Sequence, residues 1–308
     1  MVVGFTTILV VVLVGLLLAH LRIIDARGQR VIADLSFFAA LPALMVLTIS
    51  RVELDRELAA NLVASTASLA AVLTVYALVS WLAWRRPAGE TLIGALSSGY
   101  VNAGNLGIAV TGYVLGDPSV VVPTLLLQLL LVQPASLAAL DHLAARDRSR
   151  AGPARRTSPW RRVLTNPLTL ASAAGVVLAA TGWPLPLVVE APLSLLAGAA
   201  IPAMLISYGI SLRLNPPPGR SGHNAQVGLA TTLKLGVQPV VAWLVAGSLG
   251  LEGAVLLGVV MTAALPTAQN IFLLSTRYRT GEAVAREVIA VTTLTCLPVS
   301  LLIALLLG

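Results

Sequence analysis

Five polar side chains stand in stretches that are otherwise apolar, and they are Asn102, Asn105, Lys234, Gln269 and Asn270. Side-chain amides can donate hydrogen bonds to a carboxylate, and a lysine ammonium adds a positive charge to such a site. The N-terminus of a helix attracts anions in the same way. These residue types therefore predict a binding site for a small organic anion.

The stretch 97–107 is predicted to interrupt the helix that contains it. Its sequence, SSGYVNAGNLG, has three glycines, two serines and two asparagines where a membrane anchor would carry Leu or Val. Glycine costs about 1 kcal/mol relative to alanine inside a helix, and asparagine side chains compete for the backbone. We therefore expect unwinding near 102–107, with Gly104 and Gly107 as helix-breaking residues and Gly104 at the binding site.

Pro266 is predicted to interrupt a second helix at its middle, just before Gln269 and Asn270. Proline lacks the backbone donor and clashes with the preceding turn. Interrupted backbone is tolerated inside a membrane only where protein buries it or where it lines a cavity. Two interruptions at matching places therefore predict a transporter binding site that includes Pro266. The alternative is that the small residues only permit close helix packing.

The composition explains what surrounds these residues. Of 308 residues, 57% are hydrophobic and 11% charged, and the mean hydropathy is +0.90, so the chain is predicted to lie in a membrane. One cysteine excludes a disulfide scaffold, and three dispersed histidines argue against a metal site, so no metal or cofactor is expected. The net charge of +7 comes from arginines between apolar runs, which indicates membrane topology and not nucleic-acid binding.

A membrane-spanning helix needs roughly 20 apolar residues, and the sequence offers ten such stretches. These predicted spans cover about 2–20, 29–50, 58–84, 89–115, 118–143, 163–182, 187–212, 224–249, 252–276 and 283–307. The fold class is therefore predicted to be an all-α polytopic membrane protein with ten transmembrane helices.

The arginines orient these spans. If the first span starts outside, seventeen basic residues fall in cytoplasmic loops and only Arg51 and Arg56 fall outside. The positive-inside rule then places both termini outside, in a multi-pass protein of the cell membrane. An Arg-rich cytoplasmic linker at 146–162 separates a first five-helix repeat at 1–145 from a second at 163–308.

Because five is an odd number, the two repeats must enter the membrane in opposite directions. LPALMVLTISRVEL (41–54) aligns without gaps on IPAMLISYGISLRL (201–214), at an offset of 160. An offset of 164 places Asn102 on Pro266. An inverted repeat is the economical interpretation of these matches.

Lys234 is the one basic residue that the spans leave near the middle of the membrane. A buried charge there costs several kcal/mol and needs a reason to exist. In one interpretation it is a counter-charge for the substrate, or replaces a coupling ion. In the other it is a structural support that contacts the partly negative carbonyl ends of interrupted helices.

Gln133, which precedes Pro134 in the fifth span, is predicted to face the interior near the substrate, although a hydrogen bond between helices is an equal alternative. The acidic residues Asp34, Glu90 and Asp141 fall close to predicted cytoplasmic ends. Their positions argue against a sodium site or a carboxylate proton relay. A uniporter, an exchanger, or coupling through Lys234 or the substrate remains open.

Several motifs resemble those of the auxin efflux carrier family, which includes plant PIN-type carriers and bacterial organic-acid permeases. They are FFAALPALM (37–45), NAGNLG (102–107), NPLTLASAAG (166–175), LLAGAAIPAMLISYGISL (195–212) and LPTAQNIFLLSTRY (265–278). The resemblance implies a 5+5 inverted repeat, similar to bile-acid and sodium/proton transporters, in which the broken spans 4 and 9 cross. It also implies a scaffold domain of spans 1, 2, 6 and 7, often dimeric, and a mobile transport domain of spans 3–5 and 8–10.

The function that the resemblance implies is secondary transport of an organic anion, such as an auxin-like or dicarboxylic acid, by elevator-type alternating access. A homodimer formed through the scaffold is expected, with no nucleic-acid partner. Ala109 departs from the family because relatives commonly carry proline there, which puts a proline-defined crossover in question. The alternatives are a receptor or structural membrane protein, or an intramembrane enzyme, although the three histidines lie at helix ends or in a loop.

Overall fold

A computed structural model describes residues 2–51, 56–148, 167–214, 219 and 222–308. Throughout these ranges the regular structure is helical, apart from an isolated bridge between Val101 and Thr267. Most of the predicted linker, from residue 149 onward, lies outside the described residues.

The described chain forms twelve helices. They are α1 (Val2–His20), α2 (Ala26–Ile49), α3 (Arg56–Ala83), α4 (Ala88–Gly99), α5 (103–115), α6 (118–148), α7 (Pro167–Thr181), α8 (Leu187–Leu214), α9 (Asn224–Ser248), α10 (Gly253–Ala263), α11 (Asn270–Tyr278) and α12 (Glu282–Leu307).

Within the described ranges six helices are long and apolar enough to cross a membrane, namely α2, α3, α6, α8, α9 and α12. Shorter apolar helices include α7, α10 and the Leu9–His20 part of α1. The predicted class, an all-helical polytopic membrane protein, is confirmed. The count of ten spans stays a prediction.

Three of the long helices widen just before a proline, at Pro42, Pro134 and Pro239. A proline nitrogen cannot donate, and the ring crowds the preceding turn, so the turn opens into a π-helical segment. In each case the N–H of the residue before proline bonds the carbonyl five residues back: Leu41 to Ser36, Gln133 to Gln128 and Gln238 to Leu233. Two of these wide turns hold predicted site residues, Gln133 at the end of one and Lys234 within another.

The chain divides into two compact units. The first comprises Met1–Ala59, Ala103–Leu125 and Leu164–Pro216, and the second comprises Ala60–Asn102, Leu126–Val163 and Pro217–Gly308. Spans 1, 2, 6 and 7 thus fall in the first unit and spans 8–10 in the second, with almost all of span 3. Spans 4 and 5 are divided between the two. The functional names scaffold and transport domain stay predictions.

In the first unit, α8 packs against α1 through two glycines. A Cβ atom added to Gly15 would overlap the backbone carbonyl of Ile206, and one added to Gly209 would overlap the carbonyl of Val12. The two backbones therefore touch directly, which larger side chains would prevent.

In the second unit, α4 is surrounded by other helices. Its residues Ile93 and Leu96 are buried in one cluster with Tyr100, Ile271 and Ala285. A second cluster joins α4 to α3, α9 and α12. This packing fixes the C-terminal end of α4, where the chain leaves the helix.

Candidate functional site

Two helices of the second unit end in the middle of predicted membrane spans. The helix α4 ends at Gly99 and α10 ends at Ala263, which is 164 positions later, the same offset that places Asn102 on Pro266. Tyr100 then adopts extended backbone, with ψ of 105°. Helical structure resumes at residue 103 after the first interruption and at Asn270 after the second.

The two interrupted stretches run antiparallel and pair with each other. The Asn102 N–H donates to the Pro266 carbonyl at 2.8 Å, and the Ala268 N–H donates to the Tyr100 carbonyl at 3.0 Å. Buried backbone groups must find partners, and here each stretch supplies them for the other. The interruptions are therefore built into the fold as a pair.

The first interruption lies slightly earlier than expected. Unwinding was expected at 102–107, but the extended residues are 100–102, and both Gly104 and Gly107 lie in the π-helical turn Ala103–Gly107. The physical reason is where backbone hydrogen-bond partners are found. Residues 100 and 102 find them in the opposite interrupted stretch, whereas residues 103–107 form a π-helical turn whose hydrogen bonds run along the helix. The side chain of Asn105 lies outside the described part of the structure.

Thr267 connects the second interrupted stretch to α4 and α12 through hydrogen bonds. Its hydroxyl donates to the Ser97 carbonyl at 2.6 Å, and its backbone N–H donates to the Thr292 hydroxyl at 3.1 Å. Thr267 and Thr292 are fully buried. Neither residue could be predicted from the sequence, because a threonine inside an apolar helix carries no distinctive signal.

Tyr100 brings two of the predicted site residues together. Its hydroxyl contacts the Gln133 side-chain oxygen at 3.4 Å and also hydrogen-bonds the Asn270 side chain. Gln269 and Asn270 are exposed, whereas Asn102 is buried at 5% exposure. Tyr100 was not predicted, although a polar aromatic residue beside a glycine-rich interruption was a usable signal.

Lys234 is completely buried and joins the ends of both interrupted helices. Its Nζ donates to the Ala263 carbonyl at 2.7 Å and to the Gln238 side-chain oxygen at 2.7 Å. The Gln238 amide in turn donates to the Gly99 carbonyl at 3.0 Å. Helix C-termini are partly negative, so an ammonium group stabilises them. These are the contacts that the structural-support interpretation describes, and a role in substrate binding stays a prediction.

The predicted site residues thus fall into three groups. Asn102, Pro266, Gln269 and Asn270 lie in or directly beside the paired stretches 100–102 and 264–269. Gln133 is connected to them through Tyr100, and Lys234 bonds the helix ends. Gly104 and Asn105 belong to the first unit, and their part in the site stays a prediction. Gln238, which was not predicted as a site residue, connects Lys234 to the last residue of α4.

Two acidic side chains of the second unit, Asp141 and Glu287, are half-buried and buried, respectively. Asp141 accepts a hydrogen bond from the Tyr278 hydroxyl at 2.6 Å, and Glu287 near the start of α12 is buried at 3% exposure. Within the described residues no three His, Cys, Asp or Glu side chains are grouped to hold a metal ion. The side-chain groups that bond the paired stretches and the helix ends beside them are hydroxyls, amides and the Lys234 amine.

An all-helical membrane protein with two mutually paired helix interruptions has the architecture of a solute carrier. The family described as "Membrane transport protein" matches residues 2–304 of this sequence. The chain therefore belongs to that family, which includes the auxin efflux carriers that its motifs resemble.

Individual relatives agree with this membership. A protein of Rhizobium meliloti (strain 1021) named "Putative malonate transporter" is 28% identical over 283 residues, covering 89% of this chain and 86% of the relative. Auxin efflux carrier component 3a of Oryza sativa subsp. japonica is 29% identical over 153 residues. Auxin efflux carrier component 1 of Arabidopsis thaliana is 27% identical over 153 residues. The plant matches cover 48% of this chain and only 25% and 24% of the carriers.

Proposed function

We propose that this protein is a secondary transporter of a small organic anion. The observation that carries the proposal is the pair of interrupted stretches, 100–102 and 264–269, whose backbones bond each other in a membrane transport protein. Interrupted helices of this kind form the substrate sites of many secondary transporters. The names of the relatives suggest carboxylates, either a dicarboxylate such as malonate or an auxin-like acid.

The side chains at the paired stretches have chemistry that suits a carboxylate. The exposed amides of Gln269 and Asn270 stand at the N-terminus of α11, which carries partial positive charge. Amide donors and a helix N-terminus together can replace the water around a carboxylate. We propose Asn102, Gly104, Asn105 and Gln133 as further contacts.

We also propose the ten-span inverted repeat and an elevator-type mechanism. The ends of α4 and α10 are 164 positions apart, the offset that also places Asn102 on Pro266. This supports the repeat, because corresponding helices of two duplicated halves should end at corresponding residues. Most of the proposed site residues, all except Gly104 and Asn105, belong to the second unit, which supports a mechanism in which one body carries most of the site. A homodimer through spans 1, 2, 6 and 7 follows from the family resemblance alone.

Transport is tested with the full chain in sealed proteoliposomes. We expect saturable uptake of radiolabelled malonate or indole-3-acetate that unlabelled acid inhibits and that protein-free liposomes lack. Saturable binding of the acids without any flux would contradict the proposal and favour a receptor.

The site is tested with Gln269→Leu and Asn105→Leu. Because the replaced amides are proposed to face the substrate, we expect both variants to fold and to transport at least tenfold less at low substrate, about 1.4 kcal/mol. Asn224→Leu is the matched control, since Asn224 is an exposed amide at the start of α9. Unchanged transport kinetics in both site variants would show that the substrate binds elsewhere in the protein.

A further inference from the structure

A groove runs along the second unit between α3, α4 and α6, with a volume of about 940 Å³. The helices line it from Leu73 to Trp81, from Ala88 to Leu96 and from Leu131 to Ala139. Its walls are mostly apolar, and Arg86 is the one charged residue among those that line it. The interrupted stretches 100–102 and 264–269 do not contribute to its lining, so it is a feature separate from the proposed substrate site.

The length of the groove matches one leaflet of a bilayer. Each helix lines it over eight residue steps, which is about 12 Å at 1.5 Å per residue. Half of the hydrocarbon core of a bilayer is about 15 Å thick. Because α3 runs toward the Arg86 end and α4 runs away from it, Trp81 and Ala88 mark one end of the groove, and Leu73 and Leu96 mark the other.

The Arg86 end has the composition of a lipid headgroup site. The Trp81 ring is 66% exposed there, and tryptophan prefers the membrane–water boundary. The Arg86 guanidinium forms an ion pair with Glu90 at 3.9 Å, and the Arg86 side chain is 41% exposed, so a phosphate can approach the guanidinium from outside this pair. The hydroxyls of Ser80 and Thr91 bond each other at 2.8 Å.

We propose that this groove binds an anionic phospholipid, with an acyl chain along α3, α4 and α6 and the phosphate on Arg86. A guanidinium binds phosphate with paired hydrogen bonds. The charge distribution of the loops assigns Arg86 to the cytoplasmic side, where anionic lipids are concentrated. The inference needs the protein to lie in a membrane, but it does not depend on the transported substrate.

Native mass spectrometry of the delipidated full-length protein tests the inference, using phosphatidylglycerol and phosphatidylcholine with identical acyl chains. One arginine near the surface favours an anionic lipid by about 1 kcal/mol, so we expect about fivefold higher occupancy by phosphatidylglycerol. Arg86→Gln should abolish this preference. Arg30→Gln should keep it, because Arg30 is an exposed arginine assigned to the same side but outside the groove.

A second variant separates the acyl chain from the headgroup. Ala135 is exposed and lines the groove, so Ala135→Phe should fill it and lower the occupancy of both lipids. An unchanged preference in Arg86→Gln, or unchanged occupancy in Ala135→Phe, would overturn the proposal. Displacement of phosphatidylglycerol by malonate in the wild-type protein would also overturn it, because the groove would then be a substrate site.

Discussion

A single lysine connects the ends of the two interrupted helices. Lys234 lies in the wide turn that Pro239 imposes on α9, and it reaches the last carbonyl of α10 directly and that of α4 through Gln238. Two helix C-termini would otherwise face each other's partial negative charge without a compensating group. The Lys234 side chain thus bonds one helix end directly and the other through Gln238.

The first prediction at this scale is that Lys234→Met destabilises the ligand-free protein. Methionine is unbranched and only one atom shorter than lysine, but it leaves the Ala263 carbonyl without the lysine donor, a loss of about 1–3 kcal/mol for a buried group. Thermal unfolding in detergent measures the effect. We expect transport of every substrate to fall alike.

Lys234→Gln distinguishes the two roles of the residue, because it removes the charge and keeps an amide donor. If the lysine is a structural support, this variant should recover part of the stability that Lys234→Met loses. If the lysine is instead a counter-charge, stability should stay normal and substrate affinity should fall by roughly 10- to 100-fold. Normal stability with normal affinity would exclude both roles.

Among the helices, the approach of α1 to α8 gives the sharpest prediction. Gly209→Ala should destabilise the first unit, because its new Cβ would overlap the Val12 backbone and force the helices apart. Gly198→Ala is the matched control in the same helix, since Gly198 faces open space and alanine favours a helix by about 1 kcal/mol. Thermal unfolding and expression yield in membranes measure both variants. Equal stability of the two would show that the helices separate without cost.

How much of this could be predicted from the sequence differs from element to element. Pro266 and the glycine-rich stretch 97–107 located both interruptions, because their cost is local and can be read from residue types. The shift of the first break to 100–102 could not be predicted, since it depends on which backbone groups the opposite stretch offers. Thr267 and Gln238 could not be predicted for the same reason, since their roles arise from contacts with residues distant in sequence. Tyr100 differs, because its place beside the glycine-rich stretch was a usable signal.

At the scale of the whole molecule, composition was sufficient to predict the class. Apolar runs of span length, with arginines mostly between them or near their ends, predict a helical protein in a membrane, and the family match agrees. The number of spans and the side on which the chain starts carry a further consequence. An inverted repeat needs an odd number of spans in each half, and so an even total.

Ten spans and an external N-terminus predict the side of the membrane on which each loop lies. In a Cys296→Ala background, which removes the one native and buried thiol, Ser149→Cys should react with a membrane-impermeant maleimide only from the cytoplasmic side. Glu252→Cys, an exposed position between α9 and α10, should react only from outside. Tags at both termini should be accessible from outside, because ten spans return the chain to the side where it began. A cytoplasmic C-terminus with an external N-terminus would require an odd number of spans, and two inverted five-span halves could not then make up the chain.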